Sequence, residues 1–250
     1  MLEPIHIVGV DLGQQRDYTA ITVVERGYVP AGEMYNDEYY HRGNLIHAAR
    51  QPVRLEYRVR HLERPALGTS YVEVVRGVVE LLKRLGGEDA ALAVDTTGVG
   101  RPVADMLRTR LKEWLDGMPE RSTYALNACW ITITGGDSVT RTEGGMRVPK
   151  RDLISAPLVL MQNEQLKIAE GLRLRETLVK ELLNFKVKIN IATAHESYEA
   201  WREGDHDDLV LAVAMACWAG ERFLGTRESL PRPGEWALEG VPVNVVGKQP

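Results

Sequence analysis

The chain is poor in cysteine. Its 250 residues hold two, Cys129 and Cys217, with no C-x-x-C pair. A disulfide framework and a cysteine-built zinc site are thereby excluded, and a reducing compartment is the simple reading. A long apolar run is also lacking. The longest, Leu209 to Ala219, has eleven residues, too few to span a bilayer and suited to a buried core helix. The start, Met1-Leu2-Glu3-Pro4, has neither the basic residues nor the apolar stretch of a signal peptide, so a soluble intracellular protein is expected. Positive charge is not in excess: 31 Lys and Arg against 35 Asp and Glu leave a net charge of −4. Coating of nucleic acid by bulk charge is excluded; any such binding must come from local basic patches or metal ions. No G-x-x-x-x-G-K-[ST] phosphate loop occurs, because Gly247-Lys248-Gln249 lacks the context and the hydroxyl residue. There is no internal repeat and no low-complexity tract. What is present is ordinary globular composition, 44% hydrophobic and 26% charged, with length enough for a sizeable core.

Hydrophobic patterning predicts the elements. Ile5 to Val10 is a β-branched run closed by Asp11-Leu12-Gly13, a buried strand ending in a turn. Ala20 to Glu25 reads as its hairpin partner. Tyr28 to Pro52 is irregular and reads as a loop or insertion, and Leu55 to Leu62 alternates as a third strand. Gly68-Thr69-Ser70 opens a helix over Val72 to Leu85, stopped by Gly86-Gly87. Ala90 to Val94 is a buried strand ending on Asp95; a Gly-containing turn leads to a helix with Pro102 in its first turn. Tyr124 to Thr134 reads as a long strand, and Gly135 to Pro149 as a mobile loop or hairpin. Helices are expected over Arg151 to Asn163 and Leu174 to Phe185, with short strands at Leu166 to Ile168 and Val187 to Ile191. The last helix runs from Asp207 to Phe223. Residues 1–226 are expected to be the folded domain and 227–250 a tail rich in Pro and Gly. Strands first, then strands alternating with helices, imply an α/β fold: a mixed sheet with helices on its faces.

Carboxylates fall at three telling places. Asp11 ends the first strand in GVDLG, Asp95 ends a later one in ALAVDTTG, and Asp207-Asp208 open the apolar helix in HDDLVLAVAMACW. One Asp after a strand is an ordinary turn former, and one Asp opening a helix is an ordinary cap. If the two strands are neighbours, Asp11 and Asp95 share one sheet edge, and a helix starting there adds Asp207 or Asp208. Carboxylates so close repel each other, and divalent cations resolve the conflict. Mg²⁺ and Mn²⁺ prefer carboxylate oxygens and leave positions for water or phosphate. A pair of such ions about 3.5–4 Å apart clamps both oxygens of a phosphodiester under attack.

At these residues the sequence resembles the C-terminal nuclease domain of phage terminase large subunits. The likeness lies in GVDLGQQRDYTAITVV, RHLERPALGTSYVEVV, AVDTTGVGRPVADML, VPKRDLI and, most specifically, ESYEAWREGDHDDLVLAVAMACW. The resemblance implies an RNase H-like fold and a metal-dependent endonuclease cutting concatemeric double-stranded viral DNA at head filling. By it, Asp11, Asp95, Asp207 and Asp208 are catalytic and hold one or two Mg²⁺ or Mn²⁺ ions, and Asp17 is a further candidate ligand. It also implies a packaging ATPase domain or subunit, the small terminase and the portal as partners, and the infected bacterial cytoplasm as location. With no phosphate loop, this chain is not a whole packaging motor.

Basic residues Arg141, Arg147, Lys150 and Arg151 cluster at the Gly-rich segment; the expectations are a grip on the DNA backbone or a solvated loop. Arg58 and Arg60 share one strand face, which either meets DNA or is the wet side of the sheet. Arg54 and Arg64 lie beside them. Tyr35, Tyr39 and Tyr40 beside His41 and Arg42 are candidates for base stacking or for a small surface cluster. His206 precedes the Asp pair and His195 lies further off; each reads as a candidate contact or as an ordinary surface histidine. Other RNase H-like nucleases such as resolvases share this metal chemistry. The Asp11-Leu12-Gly13 and Asp95-Thr96-Thr97-Gly98 turns also resemble the phosphate loops of actin-like ATPases and sugar kinases, which leave the Asp207-Asp208 helix unexplained.

Overall fold

Six strands and two helices lie in the first half of the computed structural model, which describes residues 4–13, 17–41, 44–86, 90–98, 100–118, 126–191, 207–224 and 245–246. Strand β1 (Ile5–Asp11) pairs antiparallel with β2 (Ala20–Pro30), from Ile5 against Arg26 to Asp11 against Ala20. β2 pairs antiparallel with β5 (Val53–Glu63), with a register shift at Val23/Val24. Between them, β3 (Tyr35–His41) and β4 (Asn44–Arg50) form an antiparallel arm. The loop expected over Tyr28 to Pro52 is therefore a hairpin. Its sequence lacks regular apolar alternation, so the main-chain pairing that makes it left no periodic signal.

Helix α1 (Tyr71–Arg84) starts where the sequence places it. Ser70 accepts the Glu73 N–H and Glu73 accepts the Ser70 N–H, a reciprocal cap. Then follow β6 (Ala90–Asp95), α2 (Gly100–Asp116), β7 (Asn127–Thr134), β8 (Thr140–Thr142), β9 (Gly145–Pro149) and α3 (Lys150–Gln162). The Gly-rich segment is the β8–β9 hairpin, and β9 joins the sheet parallel to β7. β10 (Leu166–Ile168) pairs with β5, and α4 (Arg175–Ile191) absorbs the strand expected at Val187 to Ile191. That segment is instead the end of the helix, since no Gly or Pro breaks it after Arg175. Helix α5 (Asp208–Trp218) continues into a π turn, Ala219–Phe223. β11 (Val245–Val246) pairs with β4; the rest of the segment after residue 224 lies outside the described residues.

The main sheet has the order β10-β5-β2-β1-β6-β7-β9-β8. Antiparallel β5-β2-β1 continued by parallel β6 and β7 is the RNase H-like arrangement, an α/β fold. Alternation along β1 divides the core into two layers. Val8 and Val10 face α1 and α2, whereas Ile7 faces α3, α4 and α5. Every residue of α5 is buried, which explains its unbroken apolar sequence.

Candidate active site

Strand pairing brings the first two carboxylates together. β1 and β6 run parallel with Val10 opposite Val94, and each strand ends on the next residue, Asp11 and Asp95. Both aspartates have the parity of Gly9 and Ala93, the face covered by α5. Small residues there let the helix sit close. A Cβ on Gly9 would stand 2.1 Å from the Ala212 carbonyl oxygen, and one on Gly220 would stand 3.0 Å from Ile7. These contacts show that α5 runs antiparallel to β1. Its N-terminus, with Asp207 and Asp208, therefore lies at the strand end that carries Asp11.

The electrostatics of Asp11 reflect this proximity. The Asp11 carboxyl is held well above the ordinary carboxylate range. Burial is the largest cause, followed by the negative charges of Asp95, Asp208 and Asp207, while Lys150 pulls the other way. Asp11, Asp95 and Asp208 are all buried. Asp17 is exposed and is not among the groups acting on Asp11.

Each remaining carboxylate is engaged. Asp95 Oδ1 accepts the Thr97 N–H at 2.7 Å, in a turn where Gly98 takes a φ of 59°. Asp207 Oδ2 lies 3.1 Å from Lys150 Nζ. Asp208 Oδ2 lies 3.3 Å from the Arg64 guanidinium, which also pairs with Glu181 and covers the Tyr18 ring at 5.0 Å. Glu181 Oε2 accepts the N–H groups of Leu209 (3.1 Å) and Val210 (3.3 Å). A residue of α4 thus caps α5, and the Asp207 side chain makes no capping bond.

The donor set, four carboxylates at one sheet edge, has the chemistry of a hard divalent-cation site. Two of the four are paired with cations, Asp207 with Lys150 and Asp208 with Arg64. Among the described residues, no three His, Cys, Asp or Glu side chains converge to hold a metal as they stand.

Of the basic candidates, Lys150 and Arg64 reach the acidic cluster, at Asp207 and Asp208. Arg151 pairs with Asp137 at 2.9 Å. Arg141 and Arg147 are exposed on β8 and β9. Because Arg141 pairs with Met146, and Arg147 with Thr140, the two arginines lie on opposite faces of the hairpin. Arg58 and Arg60 both pair with Glu25, and Arg54 and Arg58 with Glu56, an ion network on the outer side of the sheet. Tyr35 is exposed; the side chains of Tyr39, Tyr40 and His41, and all of Arg42, His195 and His206, lie outside the described residues. Glu181 is a site residue that sequence reading missed, and Arg64, read there only as an arginine beside the strand, belongs with Asp208 instead. A buried Glu inside a helix of mixed polar and apolar residues is indistinguishable in sequence from a surface one.

An RNase H-like sheet with an acidic cluster where two parallel strands end is the class these features define. Among solved structures, the chain is similar to the large terminase nuclease from thermophilic phage G20c. Identity is 17%, with 87% of this chain and 82% of that chain covered and a TM-score of 0.45. It is also similar to the human cytomegalovirus terminase nuclease domain in an Mn-soaked form, at 12% identity, 88% and 86% coverage and a TM-score of 0.47. No family model matches the chain, and no curated protein matches it. Among the described residues, no helix is long and apolar enough to cross a membrane.

Proposed function

We propose that the protein is a metal-dependent endonuclease that cuts double-stranded, concatemeric viral DNA during genome packaging. The observation that carries this reading is the placement of Asp11, Asp95, Asp207 and Asp208 around one end of β1, by the β1–β6 register and the seat of α5 on Gly9. The sequence resemblance to terminase nuclease domains supports the substrate. Mg²⁺ or Mn²⁺, as one or two ions, is the cofactor, with these four carboxylates as its ligands; exposed Asp17 stands apart from them. Such an ion would supply Lewis acidity for hydrolysis of a phosphodiester, held by these carboxylates. The chain's own residues prepare the site. The Thr97 N–H orients Asp95. Glu181 and Arg64 hold the first turn of α5, which fixes Asp208 against the sheet. Burial of Asp11 excludes bulk water from the strand end. Arg141, Arg147, Lys150 and Arg151 supply local positive charge for the DNA backbone in a chain of net charge −4. A packaging ATPase, the small terminase and the portal are the proposed partners, in the cytoplasm of an infected bacterium.

A plasmid-nicking assay with Mn²⁺, Mg²⁺ or EDTA tests the proposal. Cutting is expected with either metal, none in EDTA, and at least a hundredfold loss in Asp11→Asn and in Asp95→Asn with the fold intact by circular dichroism. Intact DNA with every metal, in a protein that hydrolyses ATP, would overturn it in favour of an actin-like phosphate site.

A further inference from the structure

Lys150 occupies an electrostatically unfavourable place. It is the first residue of α3, where the helix macrodipole disfavours a cation. Its partner is not on its own helix. The ammonium lies 3.1 Å from Asp207, 57 residues away, and both side chains are largely withdrawn from solvent, at 19% and 24% exposure. Asp207 is likewise not serving its own helix. It stands at the N-cap of α5 yet makes no side-chain capping bond, because Glu181 supplies that bond from α4. Two residues that open two different helices thus face each other inside the acidic cluster.

We propose that Lys150 is the resident counter-ion of this site: it holds Asp207 while no metal is bound and competes with the divalent cation for that carboxylate. The inference rests on the metal-dependent reading above. It accounts for two observations together. Four carboxylates gather at one strand end, with the Lys150 charge acting on Asp11 against theirs. Yet no three acidic side chains stand converged on a common point among the described residues. Metal entry then requires exchange of one cation for another, which raises the free metal concentration needed to fill the site. Arg64 makes a similar pairing with Asp208, but it is anchored at the same time by Glu181 and Tyr18. Lys150 is the cation shown facing Asp207, and its flexible stem and point charge suit an exchangeable partner.

Isothermal titration of Mn²⁺ into the DNA-free protein tests the competition directly. Lys150→Gln should bind Mn²⁺ roughly tenfold more tightly, since one repelling and competing charge is removed. Lys150→Arg should bind it more weakly than wild type, because a planar guanidinium grips a carboxylate with two N–H groups. In the nicking assay, Lys150→Gln should reach half of its own maximal rate at a lower Mn²⁺ concentration. Unchanged or weaker Mn²⁺ binding by Lys150→Gln overturns the proposal. If that variant does not fold, Lys150→Arg decides alone: weaker binding supports the competition and unchanged binding overturns it. Failure of the metal-site reading has a different signature: wild type takes up no Mn²⁺, or its uptake is unchanged in Asp11→Asn.

Discussion

Glu181 accepts the backbone N–H of Leu209 at 3.1 Å, so the first turn of α5 is capped from α4. Burial pushes the Glu181 carboxyl up, while its bond to Arg64 opposes that rise. Glu181→Ala would leave the α5 N–H groups unsatisfied and the Arg64 charge without its closest partner. A loss of about 3 kcal/mol is expected by urea denaturation. Glu181→Gln keeps an oxygen acceptor and should cost less. In a double-mutant cycle, Glu181→Gln and Arg64→Met should couple by about 1 kcal/mol or more. Strictly additive losses would show that the two residues act apart.

Asp11 should make the metal-free protein less stable at neutral pH. Its folded-state pKa lies above the ordinary 3.8. Between the two values the folded state binds a proton that the unfolded state has released. Stability is therefore gained as pH falls through the folded-state pKa toward 3.8, and the charged form is penalised above it. Asp11→Asn removes the charge. It should melt higher than wild type in EDTA at pH 7, by about 1 kcal/mol in stability, with the gap closing toward pH 4. Melting curves at both pH values decide the matter, and a variant that melts lower at pH 7 would refute the penalty.

The approach of α5 to β1 depends on one missing side chain. Gly9→Ala would place a carbon 2.1 Å from the Ala212 carbonyl oxygen, a backbone atom that has little room to yield. About 2–3 kcal/mol should be lost. DNA cutting should fall with it, because the displaced helix carries Asp207 and Asp208. Gly77, exposed in the middle of α1 with nothing within 4 Å of its would-be Cβ, is the control. Gly77→Ala should raise stability by about 0.5–1 kcal/mol. Equal effects of the two substitutions in urea titrations would contradict the packing.

Both cysteines should be chemically silent in the native state. Burial pushes the Cys129 thiol up to about 12, and burial with the nearby Glu221 charge pushes Cys217 further. The thiolate is the reactive species, so Ellman's reagent at pH 8 should label neither cysteine in native protein. Both thiols in the sequence should react once guanidinium exposes them. Rapid labelling before denaturant is added would show that one of them is exposed.

The strands at Ile5 and Ala90, the helix opened by Ser70 and the buried helix from Asp208 were legible in the sequence. Each is written locally: by β-branched runs, by a capping box, by an apolar stretch with no polar face. The acidic positions were legible for the same reason, since each lies at the end of such a run. The arm at Tyr35 to Arg50 was not, because main-chain pairing leaves no apolar period. The end of α4, read as a short strand at Val187 to Ile191, is the continuation of a helix that no Gly or Pro breaks. Nor did the sequence place Arg64 beside Asp208, Glu181 on the Leu209 N–H, or Lys150 on Asp207. Those pairs join residues 144, 28 and 57 positions apart. Their proximity comes from the parallel register of β1 with β6 and from the close seat of α5 over Gly9. Local preference in the chain determined which residues are acidic, apolar or helix-starting. Only the tertiary structure decided which charges meet, because burial at a shared sheet edge selects partners by distance in space, where the cost of an uncompensated charge is high.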